Sequence, residues 1–148
     1  MILCDACCII KHIQERIPGM KHILFVEDNE LLYELWLDQM RMAGINNPTL
    51  HARTIKETLL IFAEYRQDIA VIVMDACLNT NFANTTGLVR WLRTDLQFTG
   101  PIIPKSSEND FSNELVKAGA NRELLVSLDS GAQNMLESIK TALASLIV

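Results

Sequence analysis

Six apolar residues in succession, Ile69-Ala70-Val71-Ile72-Val73-Met74, end on the carboxylate of Asp75. A run without polar alternation reads as a strand buried on both faces, as in a parallel sheet covered by helices. A half-exposed antiparallel strand would alternate instead, and no stretch of the chain approaches the roughly 20 apolar residues of a membrane-spanning helix. The end of the run poses a second question, because an ionised carboxylate is costly to bury without partners. Asp75 is either the wet end of a strand or one of several acids gathered for chemistry.

The neighbouring segments extend the pattern. His22–Val26 reads as a short apolar strand, followed by a helix from Asn29 to Ala43 with Leu32, Leu35, Trp36 and Met40 on one face. Gly44 sits where a helix terminates. Pro48–His51 is a brief strand and Thr54–Tyr65 a helix striped by Ile55, Leu59, Phe62 and Ala63. After Asp75 come a polar Asn/Thr-rich loop, 79–86, and a helix over Gly87–Asp95. Gly100-Pro101 breaks the chain before the strand Ile102-Ile103, and a helix over Asn109–Ala118 closes on Gly119. Glu123–Val126 is expected as a fifth strand and Gln133–Leu146 as the last helix. Five strands alternating with five helices predict an α/β, doubly wound, five-stranded parallel sheet with helices on both faces.

The domain starts at residue 20. Residues 1–19 form an N-terminal extension in which Ile9, Ile10, Ile13 and Ile17 predict a short amphipathic helix ended by Pro18-Gly19. The start lacks the basic residues of a secretory signal, which predicts a cytoplasmic protein. At 148 residues with 49% apolar and 21% charged residues, the chain has the composition of one soluble domain. A net charge of −5 argues against a nucleic-acid partner, and the absence of a long apolar run argues against a membrane one. Cys4-x-x-Cys7 has the spacing of half a zinc site or of a redox pair, but no second pair follows and the motif precedes the first strand, so with Cys8 and Cys77 these read as small apolar residues. His12, His22 and His51 show no ligand spacing, and Trp36 and Trp91 lie on packing stripes.

In an open parallel sheet, ligands bind beyond the carboxyl ends of the strands. Glu27 and Asp28 follow the first strand, Asp75 ends the third, and Ser106 and Ser107 lie just after the strand begun at Pro101. Crowded carboxylates repel one another, and a hard divalent cation such as Mg²⁺ relieves that repulsion at an all-oxygen site. An Asp beside such a cation can attack a phosphoryl group and form an acyl phosphate, with a hydroxyl and a lysine as further donors.

These residues carry a family likeness. From Lys21 to Leu146 the chain resembles the receiver domain of two-component response regulators. The match rests on Val26-Glu27-Asp28-Asn29 as the acidic pair, Val71-Ile72-Val73-Met74-Asp75 as the phosphoacceptor strand, Pro101-Ile102-Ile103 before Ser106-Ser107, and Lys117-Ala118-Gly119-Ala120 as the turn into the last strand. The resemblance implies a flavodoxin-like strand order of 2-1-3-4-5. It implies that Asp75 accepts phosphate from a histidine kinase or phosphotransfer protein, and that Glu27, Asp28, Asp75 and the backbone carbonyl of Cys77 hold Mg²⁺. Ser106 would contact the phosphoryl oxygen. The expected protein is then a stand-alone phosphoacceptor switch acting through a protein partner, with no enzymatic activity beyond its own phosphorylation and dephosphorylation.

The chain departs from the family in four places. Val126 falls where the family carries a lysine, with Ser127 in place of the following proline, and Glu123 falls at the aromatic switch position. The loop after Asp75 is about four residues longer than the family's, and it predicts a mobile rim over the acids. Pro104 predicts an early end to the fourth strand. Lys105 adjoins Ser106, and alternation along an extended segment predicts that its side chain faces away from the site. These departures support an alternative, a phosphorylation-independent pseudo-receiver that uses the fold for protein interaction, including as a homodimer.

Overall fold

The computed structural model describes residues 20–126 and 131–147. The predicted helix within residues 1–19, with Cys4, Cys7, Cys8 and His12, lies outside the described residues. Four strands, β1 (His22–Val26), β2 (Thr49–Ala52), β3 (Ile69–Asp75) and β4 (Ile102–Lys105), form one parallel sheet in the order β2-β1-β3-β4. Between and after them run α1 (Glu30–Met42), α2 (Ile55–Tyr65), α3 (Thr86–Thr94), α4 (Asn109–Ala118) and α5 (Gly131–Ala144). Asn29 caps α1 by accepting the Leu32 N–H, and Thr54 caps α2 by accepting that of Glu57. Among the described residues no helix is long and apolar enough to cross a membrane.

Strand alternation divides the core in two. Leu24, Val26, Ile72, Met74 and Ile102 face Phe62 of α2, Leu92 of α3 and Leu115 of α4. Ile23, Phe25, Val71, Val73 and Ile103 face Trp36 and Met40 of α1 and Met135 and Ile139 of α5. Helices therefore cover both faces, and the uninterrupted burial of β3 follows from that.

The fifth strand is not formed among the described residues. Arg122–Leu124 is a 3₁₀ turn, and Val126 alone keeps the expected pairing, through one parallel bridge to Lys105 and an N–H donated to the Pro104 carbonyl at 3.1 Å. The cause lies in Asn121. Its side-chain oxygen accepts the Ile102 N–H at 2.9 Å and a guanidinium N–H of Arg93 at 3.0 Å, while its amide donates to Glu123. Such local bonds compete with a strand ladder. Arg93 also donates to the carbonyls of Phe98, Gly100 and Gly119, so one side chain ties together the loops at this end. Gly119 makes room for it: with φ of 129°, a Cβ there would meet Arg93 Cγ at 2.7 Å.

Pro104 does not end β4 early. It pairs with Met74, and pairing continues to Asp75 and Lys105. β4 is one of the two outer strands of the four, where a missing N–H is tolerated.

Candidate functional site

The site follows from register. β1, β3 and β4 lie side by side, and Val26 pairs with Met74, which pairs with Pro104. One residue further on stand Glu27, Asp75 and Lys105, the last two direct partners across the sheet. Each lies two residues past a side chain of the α1/α5 face (Phe25, Val73 and Ile103), so alternation turns all three towards that face. They form a row: carboxylate, carboxylate, ammonium.

Lys105 is the residue whose placement differs from expectation. Its Nζ lies 2.7 Å from Glu27 Oε2 and 3.7 Å from Asp75 Oδ2, and 4.8 Å from the centre of the Trp36 ring. Lys105 and Ser106 do alternate, but Lys105 is the member in register with Asp75. Ser106 is buried, and its hydroxyl accepts the Glu108 N–H at 3.1 Å. Counting register from Asp75 rather than from the serine would have found the lysine. Trp36, read as packing, is packing and also the wall against which the ammonium rests.

The acids converge. One oxygen from each of Glu27, Asp28 and Asp75 lies within 4.8 Å of the others. Glu27 is 2% exposed and Asp75 8%, whereas Asp28 is half-buried. Glu27 Oε1 accepts the Asn29 N–H at 3.0 Å, and Asp75 Oδ1 accepts the Cys77 N–H at 3.1 Å. Burial pushes the Glu27 carboxyl up from 4.5 to about 7; Lys105 opposes the rise and the Asp75 charge adds to it. Burial raises Asp75 as well, again against Lys105. One ammonium therefore offsets only part of the cost of holding two buried carboxylates. The donor set is hard oxygen from three acids, which fits Mg²⁺.

The loop after β3 is fastened. Asn79, at φ of 56°, donates its N–H to Asp28 Oδ2 at 3.0 Å. The Asn84 side chain accepts the Leu78 N–H at 2.7 Å and donates to the Leu78 carbonyl at 2.9 Å. Thr85, fully buried, donates its hydroxyl proton to the Asp75 carbonyl at 2.7 Å. Behind the row, His51 Nε2 donates to the Glu27 carbonyl oxygen at 2.7 Å, and burial lowers the imidazole pKa. Cys77 is half-buried, and burial followed by the Asp75 charge pushes its thiol up, away from thiolate chemistry.

A parallel sheet in this order, with acids at the carboxyl ends of β1 and β3, has the fold of response-regulator receiver domains. Solved structures bear this out. A CheY-like receiver domain protein from Methanospirillum hungatei superposes with a TM-score of 0.68 at 19% identity, covering 86% of this chain and 96% of its own. A response regulator receiver protein from Pseudomonas putida gives 0.65 at 17% identity, covering 84% and 99%. The chemotaxis protein CheY4 of Vibrio cholerae gives 0.64 at 16% identity, covering 84% and 99%. No family model matches the sequence. No curated protein matches it either.

Proposed function

We propose that the chain is a receiver that takes a phosphoryl group on Asp75 in two-component signal transduction and passes the change to a protein partner. The observation that carries this reading is the row Glu27–Asp75–Lys105 with Asp28 beside it. Asp75 Oδ2 attacks the phosphorus of a phosphohistidine on a histidine kinase or phosphotransfer protein. The P–N bond breaks with its electron pair going to the imidazole, which then takes up a proton, and Asp75 becomes an acyl phosphate. Glu27, Asp28 and Asp75, with the Cys77 carbonyl, would hold Mg²⁺, whose charge would offset that of the phosphoryl oxygens. Lys105 supplies the ammonium that the fifth strand lacks, and the Ser106 hydroxyl is the neutral donor to a phosphoryl oxygen. A cytoplasmic location and the absence of activity on other substrates belong to the same reading.

The test is intact mass after incubation with Mg²⁺ and a small phosphodonor such as phosphoramidate. A gain of one phosphoryl group that disappears in Asp75→Asn is expected. No gain with either the small donor or a cognate kinase would sink the proposal.

A second reading rests on the other end of the molecule. The Val126 side chain offers no donor, Glu123 is exposed where the family's aromatic switch would be, and among the described residues the fifth strand is one bridge. These features favour a pseudo-receiver that binds its partner, or a second copy, whether or not Asp75 is modified. Equal partner affinity for wild type and Asp75→Asn would select it.

A further inference from the structure

Lys105 occupies the ground on which a divalent cation would act. Its ammonium contacts one oxygen of Glu27 and lies near one of Asp75, two of the three carboxylates that converge. The remaining oxygen of each already accepts a backbone N–H. The lysine side chain is only 15% exposed, so water screens the pair poorly. Like charges brought to the same oxygens repel, and repulsion within about 4 Å at a partly buried site is strong. The ammonium also has a resting place of its own against Trp36, which lies in the α1 wall of the core.

We propose that Lys105 is a built-in competitor of the divalent cation. Resting on Glu27 and Asp75, it holds the acids partly neutralised without metal, and it yields Glu27 when a cation enters. This inference rests on reading the acids as a receiver's cation site. It assigns to Lys105 a regulatory role, lowering cation affinity, distinct from its role as a donor to the phosphoryl group. Because the ammonium leaves Glu27 while near the Trp36 ring, indole emission reports the exchange. The arrangement makes Trp36 an internal probe of the site.

The experiment uses the full chain carrying Trp91→Phe, so that Trp36 is the sole indole. Mn²⁺ binding is followed by the electron paramagnetic resonance of the free ion, and Mg²⁺ binding by Trp36 emission. Lys105→Met is expected to bind Mn²⁺ at least about tenfold more tightly than its parent, as relief of one close like charge allows. Lys105→Arg, which restores the charge, should bind as weakly as the parent. Trp36 emission should shift with Mg²⁺ in the parent and stay still in Lys105→Met. Equal or weaker Mn²⁺ binding by Lys105→Met would overturn the competition, while the phosphoryl mass gain would still stand for the receiver reading. Absence of cation binding in every variant would overturn both the competition and the cation site. Should Lys105→Met fail to fold, the parent decides alone: Mn²⁺ bound with Trp36 emission unmoved by saturating Mg²⁺ refutes the proposal.

Discussion

The two edges of the acid site were built under different constraints. At the β1–β3 edge, Glu27, Asp28 and Asp75 stand where register puts them, and backbone N–H groups from Asn29, Asn79 and Cys77 each hold one carboxylate. At the β4 edge the expected parts have been exchanged. The ammonium comes from Lys105 on the neighbouring strand, the fifth strand is represented among the described residues by the Val126 bridge, and Asn121 and Arg93 bond to the loops beside it. Carboxylates that are to converge on one point, as the proposed phosphoacceptor and cation ligands must, need particular positions. A positive charge needs only to arrive within reach, and a long flexible side chain can arrive from a different strand.

The largest effect should come from removing that charge. Lys105→Met should slow phosphorylation from a small donor by about 10²–10³-fold, the usual cost of losing one charge-assisted donor. This loss should persist even at saturating Mg²⁺, which separates it from the gain in cation affinity. Val126→Lys sharpens the same contrast from the other side. Val126 is buried in the core on the α1/α5 face, so a lysine there should cost about 2–4 kcal/mol of stability and bring no gain in rate. A clear acceleration would mean that Lys105 does not fill the role.

The next effect is on pH. Glu27 is raised from 4.5 to about 7 by burial, so between those values the folded protein holds a proton that the unfolded chain has released. Stability of the metal-free protein should therefore fall as pH rises through this window and level off above it. Glu27 alone would contribute about 3 kcal/mol, and the raised Asp75 carboxyl adds to it in the same sense. Thermal melts at several pH values measure the slope. Saturating Mg²⁺ favours the ionised acids and should flatten it, whereas a slope unchanged by Mg²⁺ would separate Glu27 from the cation.

Arg93 tests the rebuilt edge for structure rather than chemistry. It donates to the Phe98, Gly100 and Gly119 carbonyls and to Asn121. Arg93→Ala should cost about 2 kcal/mol while leaving cation affinity within about twofold. A large change in affinity would show that the two edges are coupled through β4.

Much of this was legible from residue order. The unbroken apolar run of β3 pointed to a sheet covered on both faces, and the helices expected from Asn29 and from Thr54 start within a residue of those positions. The three acids were legible because they stand where buried apolar strands end, Glu27 and Asp28 directly after β1 and Asp75 as the last residue of β3. Lys105 was misjudged because alternation gives only relative orientation: it separates Lys105 from Ser106 without saying which one faces Asp75. Pairing across strands decides that, and pairing is set by packing remote in sequence. Glu123–Val126 misled because Leu124, Leu125 and Val126 look like a strand, while the competing bonds come from the side chains of Asn121 and Arg93.

The smallest effect distinguishes a fastened loop from a loose one. Asn84 makes two hydrogen bonds to Leu78, closing the polar segment whose Asn79 N–H meets Asp28. The side chain is half-buried, so water can replace part of what Asn84→Ala removes, and the cost should be about 1 kcal/mol. That corresponds to a fall of about 3–5 °C in Tm for a domain of this size. Because Thr85 still anchors the Asp75 carbonyl, the phosphorylation rate should stay within about threefold. A drop comparable to that of Lys105→Met would mean that the loop, and not the register of the three strands, holds Asp75 in place.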